Sequence, residues 1–243
     1  MPKEMLPLGG KVVLQHVIEE CDRSRLDTLL IVLNRSKTAL FPVAEETPCQ
    51  VDDRTGVPRR SVYFANQQEQ GGLAHALLHG EAFAGADHFV LALGDTVITG
   101  GAGTLIQRLI DAHLKHGAAA TIAAQMVAGP EISRYGVFIP AEEPGPVFRV
   151  RGIIEKPAPE AAPSNLAITA RYVFSPEIFD ACRAVGPGKN GEIELTAAMT
   201  YLAERGRTVL GVRLQEGESR LDIGHPASYI EAFRLLTEPP GGA

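Results

Sequence analysis

The stretch His88-Phe89-Val90-Leu91-Ala92-Leu93-Gly94-Asp95 contains the pattern that decides the fold class. Its uninterrupted apolar run is typical of a strand buried on both faces of a sheet, and the glycine and aspartate mark where it ends. Helical apolar spacing lies on both sides, over 72–83 and 104–116, and another apolar strand follows over 119–127. Because strands alternate with helices, we predict an α/β fold with a Rossmann-like, mostly parallel sheet that has helices on both faces.

The same alternation extends toward the amino terminus, with helical spacing over 13–18 and an apolar strand over 29–33. Further along the chain the pattern changes to three strand-like runs over 135–139, 147–154 and 166–174, with almost no helix between them. Such runs favour antiparallel pairing. We therefore expect a small antiparallel annex beside the main sheet.

Composition excludes several classes of protein. The chain has 243 residues, of which 45% are hydrophobic and 21% charged, so it can bury a substantial core. Lys and Arg total 23 against 29 Asp and Glu, a net charge of -6, which argues against nucleic acid as the main partner. No apolar run approaches the roughly 18 residues of a membrane span. The three cysteines are scattered, which favours a reducing, cytoplasmic location.

Asp95 is the first candidate functional residue. It follows the apolar strand directly, and ligands of open α/β folds bind beyond the carboxyl ends of the strands. A carboxylate at that position suits a hard cation such as Mg²⁺. A turn aspartate that only caps its own loop is an equally open alternative.

Two further positions have the right chemistry for such a site. Asp222, in Leu221-Asp222-Ile223-Gly224-His225, offers a second carboxylate to the same ion, although a turn acid is the commoner role for such a residue. Lys156, in Glu155-Lys156-Pro157, ends an apolar strand where its amine could pair with a phosphate, although a solvated lysine is the commoner case. Neither signal is specific by itself.

The remaining patterns predict no catalytic, phosphate-binding or metal site. The glycine run 100–104 lacks the lysine of a P-loop, so a plain loop is expected there, and His75 and His79 form an ordinary helical pair. The stretch 41–60 reads as a surface loop, and the terminal run 238–242 as a frayed end.

A series of short strings resembles the sugar-phosphate nucleotidyltransferase family, and within it the branch that makes UDP-glucose. In chain order these are PKEMLPL over 2–8, GGLAHA over 71–76, YGV over 135–137, EKP over 155–157, PSNLAI over 163–168, RYV over 171–173, GEIELT over 191–196 and DIG over 222–224. The likeness covers nearly the whole chain in register. It implies a GT-A-like nucleotidyltransferase fold in a single domain 1–243, with a nucleotide-binding half 1–130 and a sugar-phosphate-binding half 131–243.

Carried over position by position, the resemblance assigns the catalytic groups. It implies that Lys3 and Lys156 contact substrate phosphates and that Asp95 and Asp222 hold Mg²⁺. The chemistry agrees, because a divalent ion and ammonium groups offset the repulsion between two phosphate-bearing substrates. Catalysis of this kind consists mostly of positioning and charge neutralisation.

The resemblance also assigns the substrate pockets and the reaction. Gln67 and Gly72 would read the pyrimidine edge, while Gly136 and Glu155 would hold the sugar. The implied reaction is transfer of a uridylyl group from UTP to glucose 1-phosphate, giving UDP-glucose and pyrophosphate, in a possible homo-oligomer. Two alternatives stay open, a thymidylyltransferase that uses dTTP and an inactive remnant that binds nucleotide sugars.

The chain departs from the family at its amino end. Family members begin with a buried strand and a glycine-rich loop, roughly G-x-G-T-R-x-x-P, ahead of the lysine that is Lys3 here. We therefore expect that the amino terminus is truncated, that neighbouring strand edges lack a partner and that apolar surface is exposed. Smaller departures include Ala170, where glycine is common before Arg171-Tyr172.

Overall fold

The structure is a computed structural model that describes residues 1–100, 104–188 and 190–237. Most of the glycine run 100–104 and the terminal run 238–242 lie outside the described residues. The described helices are α1 Val13–Arg23, α2 Leu40–Glu46, α3 Leu73–Leu78, α4 Glu81–Ala84, α5 Thr104–His116, α6 Glu177–Val185, α7 Leu195–Glu204 and α8 Pro226–Thr237. The described strands are β1 Pro7–Leu8, β2 Lys11–Val12, β3 Thr28–Leu33, β4 Ser61–Asn66, β5 Phe89–Ala92, β6 Thr96–Thr99, β7 Ala120–Met126, β8 Gly136–Pro140, β9 Val147–Glu155, β10 Leu166–Phe174, β11 Val209–Arg213 and β12 Ser219–Asp222.

The α/β fold is confirmed, but the strand directions differ from the prediction. The largest sheet has the order β5-β10-β7-β11-β9-β8, and of its neighbouring pairs only β7 with β11 is parallel. The expected annex strands β8 and β9 are antiparallel, and they belong to this same sheet. The reason is that β10 arrives from late in the chain and inserts between β5 and β7. Periodicity shows that a strand is buried on both faces, but not which way its neighbour runs.

Helices cover both faces of this sheet. One face packs Ala123, Val173 and Leu210 against α5. The alternate residues of the same strands, among them Ile122 and Phe174, face α6 and α7. Since successive side chains of a strand point to opposite faces, these strands must be apolar throughout. That continuous apolar character is the pattern from which the fold class was predicted.

A second, two-stranded sheet joins β3 and β4 in parallel, and β3 makes no described pairing with β5. A cleft of about 790 Å³ lies between β3 and β5 and is lined by residues of both strands. Among the described strands, β3 and β5 each have one edge without a partner, as predicted, but most of their side chains are half-buried and not exposed. The edges belong to β3 and β5, each of which has a described partner on its other side.

The ribbon of β6 and β12 positions the acidic residues. The two strands are antiparallel, with Thr96 opposite Asp222. Asp95 directly precedes β6, so both carboxylates are placed at one end of the ribbon. The apolar side chains beneath, including Val97 and Leu221, pack with Leu8 and Val13 in a separate small core.

Two further results concern the regions around the sheets. The expected loop over 41–60 is helical in its first part, where α2 buries Leu40 and Ala44 against α1. Its apolar positions were too few to show a helical period in the sequence. Within the described ranges, every helix is too short or too polar to cross a bilayer.

Candidate active site

Lys3 and Asp95 form an ion pair at the end of the β6–β12 ribbon. Lys3 lies in a short 3-10 turn, Lys3–Met5, which holds its side chain over the strand end. Burial lowers the pKa of Lys3, but the hydrogen bond to Asp95 and the charges of Asp95, Glu4 and Asp222 outweigh this, so the pKa is raised. Lys3 therefore remains an ammonium group at neutral pH.

Asp222 belongs to the same cluster. The Ile223 amide donates to the Asp95 carbonyl oxygen at 3.2 Å, which ties the two acidic segments together. The Gly224 amide donates to Asp222 Oδ1 at 2.9 Å. A Cβ atom at Gly224 would lie 3.0 Å from Asp222 Oδ1 and 3.9 Å from Lys3 Nζ. The structure thus brings together Lys3, Asp95 and Asp222, the residues to which the family resemblance assigns phosphate and Mg²⁺ binding.

The donor set of this cluster fits Mg²⁺. Two carboxylates on neighbouring strands supply the oxygen ligands that this ion prefers, and Mg²⁺ in phosphate-transfer sites typically uses one or two carboxylates together with substrate oxygens. In the part of the chain that the structure describes, there is no group of three or more acidic, histidine or cysteine side chains placed to hold a metal. A magnesium ion held by these two carboxylates would complete its coordination with water molecules and substrate phosphate oxygens.

Two arginines that the sequence analysis missed face Asp222. Asp222 Oδ2 lies 3.5 Å from an Arg220 nitrogen and 4.0 Å from an Arg134 nitrogen. The Arg220 guanidinium also stacks on the Tyr135 ring, 4.0 Å from its centroid. Arg220 could have been found from the sequence, because residues two apart on a strand share a face. These cations add positive charge beside the carboxylates, where an anionic substrate would need it.

Gln67 and Gly72 form a second cluster with His75. Gln67 Nε2 donates to the Gly72 carbonyl at 3.3 Å and lies 3.0 Å from His75 Nδ1. Gly72 has φ +91°, and a Cβ there would lie 2.9 Å from Glu192 Cβ, so only glycine fits this approach of two backbones. His75 and His79 meet edge to face with centroids 5.1 Å apart. The contact of His75 with Gln67 was not anticipated.

Gly136 and Glu155 form a third cluster. They lie opposite each other in the β8–β9 pair, and a Cβ at Gly136 would be 3.2 Å from Glu155 Oε2 and 3.0 Å from Thr196 Cγ2. Lys156 has φ +46° and donates its amide to the Tyr135 carbonyl at 3.0 Å. This unusual backbone conformation turns the chain out of β9 at the lysine.

Lys156 keeps its charged group at the surface. Its Nζ atom lies 3.6 Å from Glu155 Oε1, and its side chain is 64% exposed. A cation that is exposed and only loosely paired can reorient toward an incoming phosphate at little cost.

Tyr172 lies beneath these clusters. Its side chain is buried, and burial together with the negative charge of Glu155, with a smaller contribution from Asp95, raises its pKa. The pKa of Tyr172 thus depends on the charges of both Glu155, in the predicted sugar pocket, and Asp95, in the acidic cluster.

A buried arginine fixes the loop that carries Asp95. The Arg171 guanidinium is fully buried and donates to the Leu93 carbonyl at 3.4 Å and to the Thr96 carbonyl at 2.9 Å. Its charge is balanced by Glu20 of α1, at distances from 2.6 to 3.1 Å. Because its two carbonyl partners flank Gly94-Asp95, the arginine holds the loop from both sides.

Comparison with known proteins finds a matching family and relatives over nearly the whole chain. The model of a family described as nucleotidyl transferase matches residues 1–239. The chain is 33% identical to a UTP–glucose-1-phosphate uridylyltransferase of Pseudomonas aeruginosa, over 98% of this chain and 89% of that protein. It is also 33% identical to UTP–glucose-1-phosphate uridylyltransferase 2 of Staphylococcus saprophyticus, over 95% of this chain and 83% of that protein.

Solved structures show the same similarity. A UDP-glucose pyrophosphorylase complexed with UDP-glucose superposes with a TM-score of 0.84 and 29% identity, covering 97% of this chain and 90% of that chain. A UTP-bound UGPase from Acinetobacter baumannii superposes with a TM-score of 0.80 and 26% identity, covering 99% of this chain and 87% of that chain.

Proposed function

Because the chain belongs to the nucleotidyl transferase family, we propose that it transfers the uridylyl group of UTP to glucose 1-phosphate. In this reaction a phosphate oxygen of the sugar phosphate forms a bond to the α-phosphorus of UTP. The bond from that phosphorus to the bridging oxygen breaks, and pyrophosphate leaves with the electron pair. The products are UDP-glucose and pyrophosphate. Support comes from the names of the relatives and from the cluster of Lys3, Asp95 and Asp222.

The acidic cluster is the proposed site of transfer. Asp95 and Asp222 would hold Mg²⁺, which when bound supplies positive charge to the phosphate oxygens. Lys3 stays protonated and is released from Asp95 to contact a phosphate of the triphosphate. Lys3 can exchange partners in this way because its side chain is partly exposed to the solvent. Lys156 and Arg220 add cationic groups toward the sugar phosphate.

The two glycine-containing clusters are the proposed substrate pockets. Gln67 has one amide group that can both donate and accept, which suits the edge of a pyrimidine, and the Gly72 carbonyl helps to hold that amide in place. Glu155 can accept hydrogen bonds from sugar hydroxyls, and the missing side chain of Gly136 leaves its carboxylate accessible.

Product analysis by ³¹P NMR tests this proposal. The purified chain is incubated with Mg²⁺, glucose 1-phosphate and either UTP or dTTP, and the expected result is UDP-glucose formed faster than dTDP-glucose. A preference for dTTP would make the protein a thymidylyltransferase. The absence of product from a chain with a cooperative unfolding transition would overturn the proposal for this polypeptide and favour an inactive nucleotide-sugar-binding protein.

Separate variants assign the two pockets. Gln67→Ala is expected to raise the KM for UTP while leaving the KM for glucose 1-phosphate near the wild-type value. Glu155→Gln is expected to show the opposite pattern, because one polar contact to each substrate is removed. If either variant changed the KM for UTP and the KM for glucose 1-phosphate equally, the assignment of the pockets would be contradicted.

A further inference from the structure

We propose that His75 is a positioning residue that fixes the side-chain amide of Gln67, so that Gln67 can only accept a hydrogen bond from the base of the nucleotide. This inference rests on the proposed function and deepens it, because it names the class of base. The base must carry a hydrogen on its ring nitrogen N3, as uracil and thymine do and cytosine does not. The observation that carries the inference is the contact between Gln67 and His75.

The Gly72 carbonyl determines which end of the Gln67 amide faces the protein. The amide atom nearest to this carbonyl oxygen lies 3.3 Å from it. A carbonyl oxygen only accepts hydrogen bonds, so the amide atom beside it must be the donor nitrogen, Nε2. The carbonyl itself is held in place, because it accepts from the Ala76 amide at 3.1 Å in the first turn of α3.

His75 accepts from the same amide nitrogen. Gln67 Nε2 lies 3.0 Å from Nδ1 of the His75 ring. Since the glutamine nitrogen is the donor in this contact, His75 Nδ1 must be the acceptor, and the ring hydrogen is then carried by the other ring nitrogen. Both hydrogens of the Gln67 amide group are therefore bound within the protein.

The Oε1 atom of Gln67 is left to face a ligand. Among the described residues it has no hydrogen-bond partner, and the side chain is half-buried. An acceptor in this position matches the N3 hydrogen of uracil or thymine. In cytosine N3 is itself an acceptor, and the nearest donor is the exocyclic amino group, so cytosine would have to shift in the pocket to be bound. A site built around one hydrogen bond discriminates strongly against an analogue that cannot form it.

Two contacts keep the His75 ring beside Gln67. A Cβ atom at Gly71 would lie 2.8 Å from His75 Cγ, so the ring can occupy this position only because residue 71 has no side chain. The His79 ring meets the His75 ring edge to face, with centroids 5.1 Å apart. The Gly71 carbonyl also accepts from the Ile193 amide at 2.8 Å, which anchors the loop before α3. The acceptor that orients the amide is thus itself held in place.

A residue at position 75 that can only donate should reverse the Gln67 amide. A lysine ammonium group has three donors and no acceptor, so the Gln67 oxygen would turn toward it and the amide nitrogen toward the base. This charge-assisted hydrogen bond is stronger than the neutral one to the Gly72 carbonyl, which is 3.3 Å long. Gln67 would then donate to the base, which suits N3 of cytosine.

The ratio of kcat/KM for UTP to kcat/KM for CTP, measured with glucose 1-phosphate and Mg²⁺, tests the proposal. We expect a ratio of at least about 100 for the wild type and a decrease of about tenfold or more for His75→Lys. His75→Glu offers only acceptors and should keep the ratio within about threefold of the wild-type value. Both nucleotides carry the same triphosphate, so an added charge or a loss of folded protein changes both constants equally and cancels in the ratio.

His79→Lys is the matched control. It places the same charge one turn further along the chain, on an exposed residue that makes no hydrogen bond with Gln67 among the described residues. Its ratio should equal that of the wild type. An unchanged ratio for His75→Lys, or equal decreases for His75→Lys and His75→Glu, would overturn the proposal, because His75 would then only support the packing of α3.

A binding measurement separates this proposal from the proposed reaction. Isothermal titration calorimetry is run on the same proteins with UTP and with CTP, without the sugar phosphate. Preference for UTP in the wild type that is lost in His75→Lys, together with no formation of UDP-glucose, would support the role of His75 and overturn the transferase function. Equal binding of UTP and CTP by the wild type, or binding of neither, would overturn the role of His75 whatever the activity.

Discussion

Removing one partner of the buried pair of Arg171 and Glu20 should destabilise the protein unusually strongly. The Arg171 side chain is 0% exposed and that of Glu20 only 5%, so replacing Arg171 with Met leaves an unpaired carboxylate in the core. Breaking a buried pair on one side costs about 3–5 kcal/mol. Arg171→Met is therefore expected to lower the free energy of unfolding by about this amount, measured by urea denaturation with circular dichroism.

A double-mutant cycle separates the charge effect from lost packing. Glu20→Met with Arg171→Met removes both charges, so the pair should cost at least about 2 kcal/mol less than the sum of the single variants. The exposed pair of Arg183 and Glu81 is the control, and Arg183→Met should cost less than about 1 kcal/mol. A loss below about 1 kcal/mol for Arg171→Met, or additive single effects, would refute the reasoning.

Three further predictions concern backbone strain, pH and the sugar pocket. Ala170 has φ +58°, so Ala170→Gly should raise the free energy of unfolding by about 0.5–1 kcal/mol in the same urea assay, and a loss would contradict this account of strain. Burial, and to a lesser extent the charge of His88, lowers the pKa of His113 to about 4, so its contribution to stability is complete above about pH 6.5 and is lost as the pH falls toward 4. His113→Asn should flatten the pH dependence of the unfolding free energy over that range, and an unchanged slope would exclude His113 as its source. Gly136→Ala places a methyl group beside Glu155, so the KM for glucose 1-phosphate should rise by about tenfold while the KM for UTP stays constant. Both values are measured by steady-state kinetics, and an equal rise in both would contradict this prediction.

Local patterns made Asp95 and Asp222 candidate site residues but left a role as simple turn residues open for both. Asp95 follows an apolar strand, and Asp222 lies in the sequence between a polar turn and the predicted last helix. That both lie at one end of a ribbon depends on the pairing of β6 with β12, which are more than 100 residues apart in sequence. The sequence supplied this placement through family resemblance and not through periodicity.

Contacts across the fold could not be predicted in the same way. Arg171 and Glu20 are separated by 151 residues, and the sequence around each residue does not indicate that the two side chains are in contact. The predicted direction of the strands was wrong for a similar reason, because β10 inserts between β5 and β7, which both precede it in the chain. Hydrophobic periodicity reports the burial of a segment, whereas pairing depends on which distant segment buries it.

Pyrophosphate release is the measurement that tests the central claim most directly. The purified chain is assayed with UTP, glucose 1-phosphate and Mg²⁺, beside the variant Asp95→Asn and the control variant Asp87→Asn. Asp87 precedes β5, whereas Asp95 follows it. The account predicts release by the wild type and by Asp87→Asn, and a rate at least about 100-fold lower for Asp95→Asn. Wild-type rates for all three proteins would contradict the claim that the cluster of Lys3, Asp95 and Asp222 is the site of transfer.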